Sequence, residues 1–245
     1  MIVIGERANI SGSRAFQQLV TAGDWDGAVE YALAQSAEGA AVLDVCLISG
    51  TRHEVRDTAE FYSRAVLKKH PPFMIDSQNP VPMARALQIC GEGNFLNSAS
   101  LEDEAQLQRV CQLAKRYHAG LVIACRDAKG LALTRQRKLE IAQRTLDRMR
   151  PRPAEVIVDV LALPVCTVPD GLTESLAAID LIRQACPEVR TLLALSNFSF
   201  GMPLKQRVPL EKSILNDAST AGLNMVILNT RRHRDRGVYD TIPIV

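Results

Sequence analysis

The chain has few aromatic side chains and almost no net charge: Phe, Tyr and Trp make up 4%, and 29 basic residues face 27 acidic ones. No nucleic-acid partner is expected, because a basic footprint and stacking platforms are both missing. Long apolar runs are missing too. Nothing approaches the roughly 18 residues of a membrane span, and MIVIGERANI turns polar too early for a signal peptide. No membrane contact and a cytoplasmic location are therefore expected. The cysteines Cys46, Cys90, Cys111, Cys125, Cys166 and Cys186 form no CxxC pair, and His53, His70, His118 and His233 lack HxH or HExxH spacing. Those absences argue against a disulfide framework and a protein-held metal. GERANISGS is neither a Walker A nor a GxGxxG sequence, and GxSxG does not occur, so a nucleotide loop and an activated serine are excluded as well.

What is present is a regular alternation. Short apolar runs of strand length fall at 2–4, 41–45, 73–75, 94–96, 120–124, 155–158, 191–195 and 225–228. Between them lie helical faces: Val55, Ala59, Tyr62 and Val66; Leu107, Val110, Cys111, Ala114 and Tyr117; Leu139, Ala142, Leu146 and Met149. Helix starts are expected at Ser100 with Asp103, at Thr134 and at Pro209. Eight strand and helix units in 245 residues predict one domain, a single closed (β/α)8 barrel, a fold of about 250 residues. An open, doubly wound sheet is the alternative, since strand order is not written in periodicity.

Every predicted strand ends in a hydrogen-bonding residue: Glu6, Asp44, Asp76, Asn97, Arg126 with Asp127, Asp159, Asn197 and Asn229. Polar residues mark the exit of any buried strand, but Ser, Thr, Gly or Lys would serve equally well there. Carboxylates and amides, converging on one mouth of a barrel, make a bowl suited to a flat heterocycle with N–H donors.

The segments IGERANISGSRAF, GAAVLDV, PFMIDS, NFLNSASLEDE, VIVDVLALP and LALSNFSFGMP, collinear from about residue 2 to 229, resemble the pterin-binding barrels of methyltetrahydrofolate:corrinoid methyltransferases. That family includes the folate-binding module of cobalamin-dependent methionine synthase. The resemblance implies that Asp76, Asn97 and Asp159 hold the pterin ring, and that Asn197 reaches the methyl-bearing nitrogen as the catalytic residue. It also matches Glu6, Asn9 and Asp44 to the substrate-binding motifs of the first two strands. Three positions depart from the family pattern. Cys46 replaces an asparagine after Asp44, Val160 replaces a proline after Asp159, and the segment after Asn229 lacks the periodicity of a closing eighth helix. The arginines Arg231, Arg232, Arg234 and Arg236 of that segment are expected to form a solvated tail, with contact to an acidic partner as the alternative.

The activity so implied moves a methyl group between N-5 of methyltetrahydrofolate and the cobalt of a corrinoid. No histidine stands in the DxHxxG context of a cobalamin-binding module, so the cobalamin belongs to a separate corrinoid protein. Phe200 and Met202, in SFGMP on the rim, are expected to dock that partner, and the resemblance also implies a homodimer. Two alternatives share the barrel: a dihydropteroate synthase-like enzyme, and a folate-binding protein without catalysis.

Overall fold

The computed structural model describes residues 1–49 and 53–234. Among the described residues nine strands form: β1 (Ile2–Asn9), β2 (Val42–Cys46), β3 (Phe73–Asp76), β4 (Phe95–Leu101), β5 (Gly120–Asp127), β6 (Gly130–Leu131), β7 (Val156–Asp159), β8 (Arg190–Ala194) and β9 (Met225–Leu228). All but β6 pair in parallel in the order β4-β3-β2-β1-β9-β8-β7-β5, and β4 pairs with β5. That last pairing closes the sheet, so the chain is an eight-stranded barrel and not the open alternative. The two residues of β6 add an antiparallel hairpin to the upper end of β5.

The helices outside are α1 (Arg14–Ala22), α2 (Trp25–Ala37), α3 (Glu54–Ala65), α4 (Pro80–Cys90), α5 (Glu104–Arg116), α6 (Arg135–Arg148), α7 (Gly171–Ala185), α8 (Leu195–Phe198), α9 (Leu204–Thr220) and α10 (Thr230–Arg234). Two of the expected helix starts shift. Asp103 caps α5 by accepting from the Gln106 N–H, whereas the Ser100 hydroxyl lies on β4 and accepts from Glu102. Pro209 lies inside α9 and not in its first turn. Thr134 caps α6 as expected. Val55 is exposed, because α3 turns Thr58, Phe61, Tyr62 and Ala65 inward instead. The segment after Asn229, expected to lack a closing eighth helix, opens with α10, described to Arg234; the rest of it lies outside the described residues.

The barrel interior is filled at its lower end by one apolar layer with a residue from each of the eight parallel strands: Ile4, Val42, Met74, Phe95, Val122, Ile157 and Leu192, with Met225 and Ile227 from β9. Phe95 fits only because its neighbour is glycine, since a Cβ on Gly120 would stand 2.5 Å from the Phe95 ring. Side chains alternate along a strand. The positions two residues above this layer therefore also point inward: Glu6, Asp44, Asp76, Asn97, Ala124, Asp159, Ala194 and Asn229. The larger apolar cluster, with Phe16, Phe61, Tyr62, Phe73 and Leu121 among its members, lies between strands and helices. The fold thus stacks a dry plug below a polar layer.

Candidate active site

The upper mouth is where strand ends and following loops meet. On one side, Asp76 of β3 and Asn97 of β4 are register partners, and Cys46 of β2 pairs with Asp76. Asn97 donates its amide to Asp44 Oδ1 at 3.1 Å. Burial, with the nearby Asp76 charge adding to it, pushes the Asp44 carboxyl well above the ordinary range, against the help of Asn97. Asp76 is raised to about 6, again by burial first, although the Cys46 thiol donates a hydrogen bond to it. Cys46 itself is pushed upward by burial and stays protonated. A thiol has one donor where the family's amide has two, and here that donor is spent on Asp76.

Across the mouth, Asp159 ends β7 and accepts from the Leu161 N–H at 2.8 Å. Burial raises its carboxyl to about 6, opposed by that hydrogen bond and by the charge of Lys138. Glu6 is also raised by burial, while the Ser196 hydroxyl donates to its Oε1 at 2.8 Å. Burial thus disfavours the anionic form of four carboxyl groups in one bowl, so that N–H donors or a cation placed among them would pull them back toward the carboxylate.

Between the ends of β8, β9 and β1 opens a cleft of about 440 Å³, lined by Glu6, Asn9, Ser196, Asn197, Asn229, Phe200 and three arginines, Arg7, Arg207 and Arg232. Asn197 lies on the short α8 and is exposed. Asn9 spends its Oδ1 on the N–H groups of Ser11 and Gly12, both at 2.9 Å, so that it shapes the first loop while lining the cleft. Arg7 bonds Glu38 and lies 5.1 Å over the Tyr31 ring. The Arg7 N–H donates to Gln35 at 2.9 Å where β1 bulges. Gly5 permits that approach, since a Cβ there would meet the Gln35 oxygen at 2.6 Å.

Several expectations change at this level. Asp127 does not face the mouth: it turns outward to Arg137 and to Arg144, the latter at 3.1 Å, while Arg126 stays on the rim and donates to Gln78 at 2.9 Å. Arg232 is not a solvated tail residue. It reaches the fully buried Glu211 of α9 at 3.0 and 3.2 Å, with His233 Nε2 at 3.0 Å from the same carboxylate and the Ser199 hydroxyl also bonded to it. Arg231 is exposed, as expected; the Arg234 side chain and Arg236 lie outside the described residues. Arg7, Arg207, Glu211 and Lys138 were found by no motif. The available signal was phase: Lys138 shares the buried face of α6 with Ile141, Ala142 and Thr145, and Glu211 that of α9 with Val208, Ile214 and Ala218.

An eight-stranded barrel with a polar mouth is a fold shared by many chemistries. The family model "Pterin binding enzyme" matches residues 5–229, and the chain belongs to that family. The methionine synthase of Mycobacterium tuberculosis (strain ATCC 25618 / H37Rv) is 29% identical over 245 residues, 95% of this chain and 20% of that protein. The Mycobacterium leprae (strain TN) methionine synthase is 28% identical with the same coverage of 95% and 20%. The chain therefore spans about a fifth of the length of these relatives. Among solved structures, the dihydropteroate synthase from Xanthomonas albilineans in complex with 7,8-dihydropteroate superposes with a TM-score of 0.69 at 14% identity, covering 99% of this chain and 95% of that one. Dihydropteroate synthase of Yersinia pestis with a pterine-sulfa conjugate gives 0.70 at 12% identity, covering 97% and 90%. At such identities the likeness is one of fold. No helix among the described residues is long and apolar enough to cross a membrane.

Proposed function

We propose that the chain is a methyltetrahydrofolate:corrinoid methyltransferase, with the corrinoid carried by a partner protein. The observation that carries this reading is the polar layer of the mouth, in which Asp76, Asn97 and Asp159 stand one alternation above the apolar plug. A carboxylate accepts two N–H bonds from a 2-amino-pyrimidinone edge, and an amide both donates and accepts. The likeness to one fifth of methionine synthase, over nearly all of this chain, supports the same reading.

In this reading Asp76, Asn97 and Asp159 hold the ring, Asp44 braces Asn97, and Glu6 and Asn9 shape the first-strand wall. Asn197 donates a hydrogen bond to the methyl-bearing nitrogen, one that strengthens as that nitrogen gains positive charge in the transition state. Whichever of these carboxyls is ionised favours the cationic form of the pterin. The corrinoid supplies a cobalt nucleophile; this chain orients the methyl group toward it. The docking face is the mouth itself. Among the described residues, six of the seven exposed large apolar side chains, Val55, Val81, Leu131, Leu133, Phe200 and Leu204, lie on helix starts, on loops that follow strands or, for Leu131, on the β6 hairpin, and Phe200 is 67% exposed. Met202 is half-buried in the same loop.

A dihydropteroate synthase-like reading has one observation in its favour, the three arginines in the cleft, where a diphosphate would need positive charge. The deciding experiment is turnover of methyltetrahydrofolate with free cob(I)alamin, run beside dihydropterin diphosphate with p-aminobenzoate. Methyl transfer to cobalt supports the first reading, and formation of dihydropteroate with release of diphosphate the second. Tight folate binding with neither reaction identifies a non-catalytic folate-binding protein.

A further inference from the structure

Lys138 is among the largest fully buried side chains of the protein and lies in phase with the apolar face of α6. Its Nζ donates to the Ser175 hydroxyl of α7 at 2.6 Å and to the Leu161 carbonyl at 3.2 Å. Ser175 donates to the same carbonyl at 2.8 Å. Leu161 has φ of 59°, a left-handed conformation that a branched side chain enters only at a cost. From that conformation its N–H reaches back to Asp159 Oδ1 at 2.8 Å. A buried ammonium bonded to neutral groups is expensive. An apolar residue would fill this place in α6 at lower cost, so packing does not account for it.

We infer that Lys138 is a positioning residue for Asp159: it locks the left-handed turn at Leu161 that aims the carboxylate, and it sets one positive charge behind that carboxylate. The inference rests on the reading of Asp159 as a pterin contact. The surroundings of both groups support it. Lys138 is faced by Cys125 of β5, by Asp159 of β7, and by Glu174 of α7, which is itself tied to Arg135 at 2.8 Å. Burial lowers its ammonium to about 8, with the thiol and the two carboxylates opposing that change. Asp159, for its part, is faced by the Leu161 N–H, by Lys138 and by the Cys125 thiol of β5. The two groups therefore titrate in a linked way, each favouring the charged form of the other.

The test needs no pterin. Carboxyl-carbon NMR of Asp159, identified by loss of its signal in Asp159→Asn, gives its titration midpoint in the wild-type protein, in Lys138→Gln and in Ser175→Ala. Glutamine keeps a donor and removes the charge, so the midpoint should rise by about one pH unit or more. Ser175→Ala removes a hydrogen bond and keeps the charge, so the midpoint should stay near the wild-type value. A folded Lys138→Gln protein with an unmoved midpoint overturns the inference, as does an equal rise in Ser175→Ala. Should Lys138→Gln fail to fold, the reciprocal measurement decides: the Lys138 ammonium, followed by lysine-carbon NMR, should titrate lower in Asp159→Asn than in wild type, and an unchanged midpoint overturns the proposal. Methyltetrahydrofolate binding then supplies a separate readout. Its acid limb should move up with the Asp159 midpoint, giving about a twofold loss at pH 7 and about tenfold below pH 6. Wild-type protein that titrates as stated yet binds no pterin would sink the functional reading and leave the linkage standing.

Discussion

Replacing Asp159 by asparagine should make the ligand-free protein more stable at pH 8 while weakening its hold on the pterin. The carboxyl is raised from 3.8 to about 6, chiefly by burial. A raised acid contributes stability that is fully present below its unfolded value and is lost as pH rises through the folded one. Between about pH 4 and pH 7 the wild-type protein therefore pays to ionise Asp159. Two pH units correspond to about 3 kcal/mol as an upper bound, and because the side chain is only partly buried, about 1–2 kcal/mol is the expected effect. Asparagine keeps an oxygen for the Leu161 N–H and carries no charge to bury. The assay is urea denaturation of both proteins at pH 4, 6 and 8, following the gap between their unfolding free energies. That gap should move in favour of Asp159→Asn as pH rises. Calorimetry at pH 7.5 should show methyltetrahydrofolate binding weakened by about 1.5–3 kcal/mol, the range for hydrogen bonds to a charged group. A stability gap independent of pH, or unchanged affinity, refutes the reasoning.

Asp76→Asn should weaken binding by a similar 1.5–3 kcal/mol, and unchanged affinity in both aspartate variants would remove the pocket assignment. Asn197→Ala should lower kcat more than it raises the pterin dissociation constant, since its hydrogen bond matters most in the transition state; an unchanged kcat with equal losses in binding and kcat/KM would make Asn197 a ground-state contact. Cys46→Asn offers Asp76 an amide donor in place of the thiol and should preserve or tighten binding, so abolished binding would mark Cys46 as a specialised contact. Phe200→Glu and Met202→Glu should slow transfer to a corrinoid protein while reaction with free cob(I)alamin stays largely intact; equal losses in both reactions would place these side chains in the pocket.

Much of the barrel was legible because a parallel strand buried on both faces writes itself as an apolar run, and all eight runs became strands. The polar layer was half legible. Strand ends identify Glu6, Asp44, Asp76, Asn97, Asp159 and Asn229, but facing is set by the phase of alternation and not by the end itself. Phase would have separated inward Arg126 from outward Asp127, since Val122 belongs to the inner layer. It also places Ala194, not Asn197, on the inner face of β8, while Asn197 reaches the cleft from a helical turn. The cleft was not legible because its contacts join distant parts of the chain: Ser196 and Glu6, which both line it, are 190 residues apart, and Thr230 and Glu38, the partner of the lining Arg7, are 192 apart. No local pattern encodes such a pair. A charged residue in phase with an apolar helical face was the readable clue: Asp57 of α3, Lys138 of α6 and Glu211 of α9 are of this kind, and the last two support the mouth from behind.

Pterin recognition does not separate the two enzymatic readings, because Asp76, Asn97 and Asp159 would serve a ring bound for either reaction. The decision lies in the β8–β9–β1 half of the mouth. Three arginines line it, yet two are already committed: Arg7 to Glu38 and Arg232 to the fully buried Glu211. Arg207 donates its Nε to the Ser199 carbonyl at 2.9 Å, and Glu6 stands in the same cleft. An expelled diphosphate carries several negative charges and needs cations with charge to spare, whereas a methyl transfer expels no anion. A neutral displacement therefore suits this cleft better than one that releases a polyanion. Arg232, through Glu211, and Arg207 act instead as walls: the Glu211 carboxylate and the Arg207 guanidinium both grip Ser199 and so fix the loop that carries Asn197.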